Sequence, residues 1–167
     1  DGGTDQKINA ENPASAATAK QRRQDLQALC KRLDITYHTR AKNEFAKAGN
    51  VNSAIQNTTG DLIVILDADH VPTSDFLDRT VPWMLKNEKV FLVQTPHFMA
   101  NPDPVERNYF SAFTRMPSEN DMFYGTIQKG LDYWGSSFFC GSAALMRRKH
   151  LDLVGGISGD SITEDAE

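Results

Sequence analysis

The sequence predicts an α/β fold with a mostly parallel, Rossmann-like sheet flanked by helices. Short β-branched apolar runs, such as residues 62–66, alternate with longer segments in which apolar residues recur at helical spacing. The turn pair Thr59-Gly60 precedes the run at 62–66, as expected at the start of a strand. With 167 residues, 40% of them hydrophobic, the chain is long enough for one domain with its own core.

The elements are predicted in order from capping and periodicity. Asn12 provides a capping side chain and Pro13 suits the first helical position, so a helix begins there and continues to Leu33 with apolar residues at helical spacing. A glycine pair, Gly155-Gly156, ends the last helix. We predict helices over 13–33, 46–57, 75–86, 117–130 and 148–153, and strands over 35–39, 62–66, 90–94 and within 134–146.

Composition and charge argue against a nucleic-acid partner, a disulfide scaffold and a membrane-spanning segment in this sequence. The net charge is −4 and the pI about 5.6, so we expect no nucleic-acid partner. The two cysteines, Cys30 and Cys140, match neither a metal-ligand pattern nor a disulfide scaffold, which favours a reducing, cytosolic environment. No apolar run approaches the roughly 18 residues that span a bilayer.

Both ends of the sequence lie in segments that usually belong to the interior of a domain. The chain begins in the loop-like segment 1–4 and ends within 163–167, which resembles the start of a helix. We therefore expect an excerpt of a longer protein, truncated at both ends, whose flanks could hold membrane helices.

Two carboxylates at the end of the run at 62–66 give the strongest chemical signal. Asp67 and Asp69 are spaced i, i+2, and strand side chains alternate faces, so both are expected on one face. Charges this close repel each other, and Mg²⁺ held by one or two carboxylates plus substrate phosphates is the usual remedy. His70 either contacts this metal site or makes a structural hydrogen bond. Two solvated aspartates are the alternative, because an isolated Asp-x-Asp is a weak pattern.

Six segments in register resemble the catalytic domain of the bacterial cellulose synthases, which are processive, membrane-embedded family-two glycosyltransferases. The segments are Asp1-Gly2-Gly3-Thr4-Asp5, Ala46-Lys47-Ala48-Gly49-Asn50, Asp67-Ala68-Asp69-His70, Gln94-Thr95-Pro96-His97-Phe98, Phe138-Phe139-Cys140-Gly141-Ser142 and Thr163-Glu164-Asp165. The resemblance implies a GT-A fold and the transfer of glucose, with inversion, from UDP-glucose to the 4-hydroxyl of a growing β-1,4-glucan. It divides this GT-A domain fragment into a nucleotide-sugar-binding half, 1–95, and an acceptor-side half, 96–167.

The resemblance also implies roles on the donor side. Asp1 belongs to an acidic pair near the uracil and ribose, and Lys47 faces the nucleotide, where its charge can offset phosphate. Asp69 chiefly holds a Mg²⁺ or Mn²⁺ ion that bridges the diphosphate, and Asp67 lies on the donor and nucleotide side. The alternatives are an ordinary terminal charge at Asp1 and a solvated helix-end lysine at Lys47.

The resemblance assigns the catalytic end of the site to Thr163-Glu164-Asp165. Asp165 is the base that takes the proton from the attacking hydroxyl, and Glu164 is an orienting neighbour. The same residues also match a helix cap, which is the alternative interpretation. Capping and catalysis can coexist, because a helix N-terminus favours a carboxylate.

Aromatic side chains are expected on the acceptor side, because their faces stack on sugar rings and allow a polymer to slide. The candidate acceptor-binding residues are His97, Phe123, Tyr124, Phe139, Cys140 and Gly141, with Trp134 and Phe138 as further candidates. For any single aromatic residue, burial in the core is the alternative. We expect no nucleophilic role for Cys140, because the sequence offers no recognisable basic partner.

The same resemblance implies partners and location. We expect contact with the membrane through segments outside this chain, an accessory synthase subunit, regulation by cyclic di-GMP and a place at the cytoplasmic face of the bacterial inner membrane. The chain alone is expected to bind UDP-sugar weakly and to make no polymer. The alternatives are a synthase of another β-linked polysaccharide and a non-catalytic nucleotide-sugar-binding domain. A dehydrogenase is excluded, because no G-x-G-x-x-G follows a strand.

Overall fold

Helices and strands are mixed along the chain in the computed structural model, which describes residues 7–9, 11–40, 42, 44–101 and 119–159. The α/β class predicted from the sequence is therefore confirmed. The helices are α1 (Pro13–Arg32), α2 (Ala46–Gln56), α3 (Phe76–Lys86), α4 (Glu119–Met122), α5 (Gln128–Tyr133) and α6 (Arg148–Leu153), with a π-helical turn (Phe123–Ile127) between α4 and α5. The strands are β1 (Leu62–Ile65), β2 (Leu92–Gln94) and β3 (Ala144–Arg147).

The helices agree closely with their sequence signals. At the start of α1 the Asn12 side chain accepts a hydrogen bond of 2.9 Å from the backbone N–H of Ala14, and Pro13 is the first helical residue. The helices α2, α3 and α6 lie within their predicted bounds. The helix predicted over 117–130 is described from Glu119 onwards, and the π-helical turn interrupts it.

The central strand of the sheet is β3, since the strand order is β1-β3-β2. Both pairings are antiparallel, and Ile65 of β1 and Gln94 of β2 pair with the same residue, Ala144. The strands β1 and β2 therefore run in the same direction on either side of β3. Their carboxyl ends meet at the amino end of β3, which brings three segments of the chain together.

The prediction of a mostly parallel sheet is wrong for the described strands, because each pairing among them is antiparallel. Local alternation of strand and helix gives the common direction of β1 and β2, but it does not show that a later strand inserts between them. The strand predicted within 134–146 forms only at β3. The strand predicted over 35–39 is also wrong, because residues 35–40 belong to no strand. Ile35 is 56% exposed, so it lacks the burial that favours pairing with a neighbouring strand.

The central strand of the sheet is more deeply buried than the strand β1 at its edge. Ala144, Leu145 and Met146 of the central strand are fully buried, as is Met84 of α3. The strand β1, predicted to be buried, lies at an edge of the described sheet, and Val64 is 37% exposed. The fully buried apolar run is therefore β3, as expected for a strand with neighbours on both sides.

The chain divides into two compact units. Among the described residues, one unit comprises those up to Asp61 and from Arg148 onwards, with α1, α2 and α6, and the other is Leu62–Arg147, with the sheet. The division into halves at residue 95 concerns function and stays a prediction. In the described ranges, no helix combines the length and apolar character needed to cross a membrane.

Arg147, the last residue of β3, satisfies carbonyl groups around the end of α3. Its guanidinium donates hydrogen bonds to the backbone oxygens of Met84 at 2.6 Å, Val90 at 3.1 Å and Asn87 at 3.3 Å. The last carbonyls of a helix have no partner within the helix, and a cation there is favourable. Arg147 therefore fixes α3 to the sheet.

We expect Arg147→Met to lower the free energy of unfolding by about 2 kcal/mol, because several carbonyls lose a charged donor. The matched control is Lys149→Met, which removes an exposed cation two residues away and should change stability by about 0.5 kcal/mol or less. Urea unfolding followed by circular dichroism measures both variants. Equal midpoints for Arg147→Met and the unmodified protein would contradict this role.

Candidate active site

A cluster of possible metal ligands, Asp67, Asp69 and His70, lies immediately after β1. Each residue offers one ligand atom, and these atoms lie within 4.8 Å of one another. The backbone N–H of His70 donates to the carbonyl of Asp67 at 3.0 Å and closes a turn. Asp69 is exposed, whereas Asp67 and His70 are half-buried. We call Asp67–His70 the acidic turn.

The donor set of the acidic turn fits a hard divalent cation. Carboxylate oxygens are the ligands preferred by Mg²⁺ and Mn²⁺, and imidazole is more typical of later transition metals. Because Asp69 is exposed, the site is open to further ligands such as phosphate oxygens. The two aspartates alone could hold Mg²⁺, with His70 as an added or neighbouring group.

Ser142, just before β3, holds the acidic turn in place. Its hydroxyl accepts a hydrogen bond of 2.7 Å from the backbone N–H of Asp67. The same hydroxyl lies 2.8 Å from His70 Nδ1, and the direction of that hydrogen bond depends on the tautomer of the ring. His70 thus makes a structural hydrogen bond through Nδ1, and its Nε2 takes no part in this hydrogen bond.

The end of β2 lies beside the same serine. The carbonyl of Ser142 is 3.0 Å from His97 Nε2 and accepts a second hydrogen bond, of 2.9 Å, from Gln94 Nε2. Because a carbonyl can only accept, His97 Nε2 carries the hydrogen. The backbone N–H of Cys140 donates to Gln94 Oε1 at 2.9 Å. Gln94 therefore ties the segment before β3 to β2 at two points.

A row of rings continues from the acidic turn. The ring centroids are 4.7 Å apart for His70 and His97, 5.2 Å for His97 and Tyr124, 4.9 Å for Tyr124 and Phe123, and 6.3 Å for Phe123 and Phe138. These separations are typical of aromatic contacts. Four predicted acceptor candidates thus form one row next to the acidic turn: His97, Phe123, Tyr124 and Phe138.

Tyr124 and Cys140 lie together beside this row. Burial raises the pKa of Tyr124 to about 12, and the charge and hydrogen bonding of Cys140 add to the rise. Gln128, which is 8% exposed, donates from Nε2 to Cys140 Sγ at 3.1 Å. The Tyr124 phenol is therefore neutral throughout the physiological range, and the Cys140 thiol has a polar partner.

Six further residues were predicted for the site: Asp1, Lys47, Phe139, Gly141, Glu164 and Asp165. Lys47 is half-buried in the first turn of α2, in the other compact unit. Phe139 is half-buried, and Gly141 has a φ of 82° immediately before Ser142. The residues outside the described ranges are Asp1, Glu164 and Asp165. The roles assigned to all of these residues stay predictions.

Sequence reasoning missed three polar residues of the site. Ser142 and Gln94 belong to the motifs without a predicted role, and Gln128 belongs to none of them. One signal was available, because Ser142 lies in the small, apolar run before β3, and a buried hydroxyl needs hydrogen-bond partners. The sequence does not indicate which distant residues those partners are.

Comparison with known proteins decides the family. The family model for glycosyl transferase family 2 matches residues 14–155, which is most of the chain. The chain belongs to glycosyl transferase family 2. Membership of this family implies the GT-A fold, so the GT-A class predicted from the sequence is confirmed.

The chain is similar to cellulose synthases from several bacteria. It is 45% identical over 145 residues to the UDP-forming cellulose synthase catalytic subunit of Pseudomonas fluorescens (strain SBW25), an alignment that covers 87% of this chain and 20% of the relative. It is 47% identical over 145 residues to cellulose synthase 1 of Komagataeibacter xylinus, and this alignment covers 87% of this chain and 9% of the relative. The chain thus spans a fifth or less of these relatives. The predicted resemblance to bacterial cellulose synthases is confirmed.

The raised pKa of Tyr124 predicts a loss of stability at high pH. The folded phenol keeps its proton up to about 12, whereas an unfolded tyrosine loses it near pH 10. The unfolded state therefore binds fewer protons in this window, and stability falls as pH rises from about 10 to about 12. We expect Tyr124→Phe to show a shallower fall of the thermal midpoint. The control Tyr133→Phe, at a residue 82% exposed, should keep the original slope; equal slopes for both variants would contradict the assignment.

Proposed function

We propose that this chain is the part of a cellulose synthase that binds UDP-glucose with its metal ion and receives the glucan. In the full-length synthase it transfers glucose, with inversion, to the 4-hydroxyl of a growing β-1,4-glucan. One observation carries the proposal: the acidic turn and the row of aromatic rings adjoin each other within one compact unit. The similarity to UDP-forming cellulose synthases supplies the donor and the product.

Two carboxylates serve the donor side in this proposal. Asp69, which is exposed, and Asp67, whose backbone is held by Ser142, bind Mg²⁺ or Mn²⁺. When bound, the ion supplies positive charge that offsets the diphosphate and the charge that builds on departing UDP. Lys47 adds a cation for the phosphates, and Asp1 contacts the uracil and ribose.

The acceptor side uses the aromatic row. Ring faces stack on sugar rings over a broad range of positions, which suits a polymer that must advance after each transfer. The neutral Tyr124 phenol, whose hydrogen faces Cys140, can accept a hydrogen bond from a sugar hydroxyl at any physiological pH. The proposed acceptor-binding residues are His97, Phe123, Tyr124, Phe139, Cys140 and Gly141.

A carboxylate completes the chemistry. Asp165 takes the proton from the acceptor 4-hydroxyl while the new C–O bond forms and UDP departs, and Glu164 orients that base. Inversion in one displacement needs no protein nucleophile. Cys140 therefore has a binding role in this proposal.

The rest of the assembly is part of the proposal. Because the chain spans a fifth or less of its relatives, we infer that it acts within a longer protein. That protein contacts the membrane through other segments, works with an accessory subunit, responds to cyclic di-GMP and lies at the cytoplasmic face of the bacterial inner membrane. The isolated chain binds UDP-sugar weakly and makes no polymer.

Calorimetric titration of UDP into the full-length protein, with and without Mg²⁺, tests the donor site. We expect binding to require Mg²⁺ and to weaken by at least about 10–100-fold in Asp69→Ala, because losing a metal ligand costs no less than losing a group that orients one. Asp165→Asn should keep UDP binding and lose about 10²–10⁴-fold in glucan synthesis. Asp132→Ala, which removes an exposed carboxylate of α5, is the matched control and should change neither.

Binding that needs neither Mg²⁺ nor Asp69 would contradict the donor site. Metal-dependent binding without any sugar transfer by the unmodified protein would instead favour a non-catalytic nucleotide-sugar-binding domain. Unchanged transfer in Asp165→Asn would require a different base.

The donor sugar gives a further prediction. We expect the full-length protein to use UDP-glucose at least about tenfold better than UDP-N-acetylglucosamine, measured as the ratio of kcat/KM values. The reason is the similarity to UDP-forming cellulose synthases. The opposite preference would assign the chain to a synthase of another β-linked polysaccharide.

A further inference from the structure

Ser142 is a polar residue in one of the most buried parts of the chain. It is 1% exposed and precedes the fully buried residues of β3. A buried hydroxyl and a buried carbonyl are kept in a fold only when both have hydrogen-bond partners. The identity of those partners therefore indicates what the residue does.

The hydroxyl of Ser142 joins two parts of the acidic turn. It accepts a hydrogen bond from the Asp67 backbone at 2.7 Å and lies 2.8 Å from His70 Nδ1. Asp67 is bonded through its main chain, so its carboxylate is not consumed by this contact. The serine thus fixes the first and last residues of the turn through the Asp67 main chain and the His70 ring.

The carbonyl of Ser142 joins the aromatic row to the same point. It accepts hydrogen bonds from His97 Nε2 at 3.0 Å and Gln94 Nε2 at 2.9 Å. The side-chain oxygen of Ser142 therefore holds the donor side of the proposed site, and its main-chain oxygen holds a residue of the acceptor side.

The backbone around Ser142 is held in a conformation that favours glycine. Gly141 has a φ of 82° and Ala143, which has a Cβ, has a φ of 49°. Such unfavourable backbone conformations persist where several surrounding contacts hold them in place. Thr95 supplies two of those contacts, because its N–H and its hydroxyl both donate to the Ala143 carbonyl, at 3.1 and 2.6 Å.

We propose that Ser142 is a positioning residue that holds the acidic turn and His97 at fixed positions relative to each other. The metal-bound nucleotide and the acceptor are then held at a fixed distance and orientation. This inference rests on the proposed function. Its basis is the pairing of the serine hydroxyl with Asp67 and His70 and of the serine carbonyl with His97. The hydroxyl should therefore control cation affinity without contacting the sugar.

The test measures Mn²⁺ binding to the full-length protein in the presence of UDP, by electron paramagnetic resonance. We expect Ser142→Ala to weaken Mn²⁺ binding about 10–100-fold, the usual effect of losing a group that orients metal ligands. Ser142→Cys keeps nearly the same volume with a weaker donor and acceptor, so its affinity should also fall. Ser137→Ala, at an exposed serine of the same segment, is the control and should bind like the unmodified protein.

A second readout separates positioning from general damage. Raising the Mn²⁺ concentration should restore the glucan synthesis rate of Ser142→Ala towards that of the unmodified protein, because the defect is in cation affinity. A purely structural defect would not respond to the cation.

The outcomes are distinct. Folded Ser142 variants that bind Mn²⁺ with unchanged affinity would overturn this inference and leave the proposed function standing. Loss of the folded state in both variants would also overturn it, since Ser142 would then be only a residue of the core. No UDP-dependent Mn²⁺ binding by the unmodified protein would overturn the proposed function as well.

Discussion

The insertion of β3 between β1 and β2 is the constraint on which the site depends. Ile65 and Gln94 pair with Ala144 from opposite sides, and Ala144 is completely buried between them. With antiparallel pairing on both sides, the segments that follow the two outer strands must emerge beside the segment that precedes β3. Main-chain hydrogen bonds between the strands therefore bring the acidic turn, His97 and Ser142 into one neighbourhood.

This convergence buries polar groups, which must find hydrogen-bond partners among themselves. Gln94 uses both its amide oxygen and its amide nitrogen on the segment before β3, and Ser142 uses both its hydroxyl and its carbonyl. An unsatisfied buried polar group costs about 1–3 kcal/mol, so each contact depends on the others remaining in place. Fully satisfied networks of this kind rigidify the groups that they join. Rigidity of this kind is what a transferase needs, because fixed dipoles do not have to reorganise when charge develops.

Local features of the sequence predicted most of what is local in the structure. Asn12 and Pro13 indicated the start of α1, and the i, i+2 spacing of Asp67 and Asp69 indicated that their carboxylates lie close together, as they do. Long-range features were not predictable in this way. Ser142 lies 75 residues from Asp67 along the chain, and nothing near either residue indicates their hydrogen bond. The parallel-sheet prediction failed for the same reason, since it treated strands close in sequence as neighbours in space.

The π-helical turn at Phe123–Ile127 fixes the spacing of the chain in a way that an ordinary helix would not. Its defining hydrogen bond runs from the N–H of Gln128 to the carbonyl of Phe123, so the turn contains one residue more than an α-helical turn. Each residue of an α-helix advances the side chain by about 100° around the axis. Deleting one residue here would rotate Phe123 and Tyr124 by that angle relative to Gln128, which is anchored on Cys140. Insertions and deletions in this turn should therefore be rare among working relatives, even where the identities of the residues vary freely.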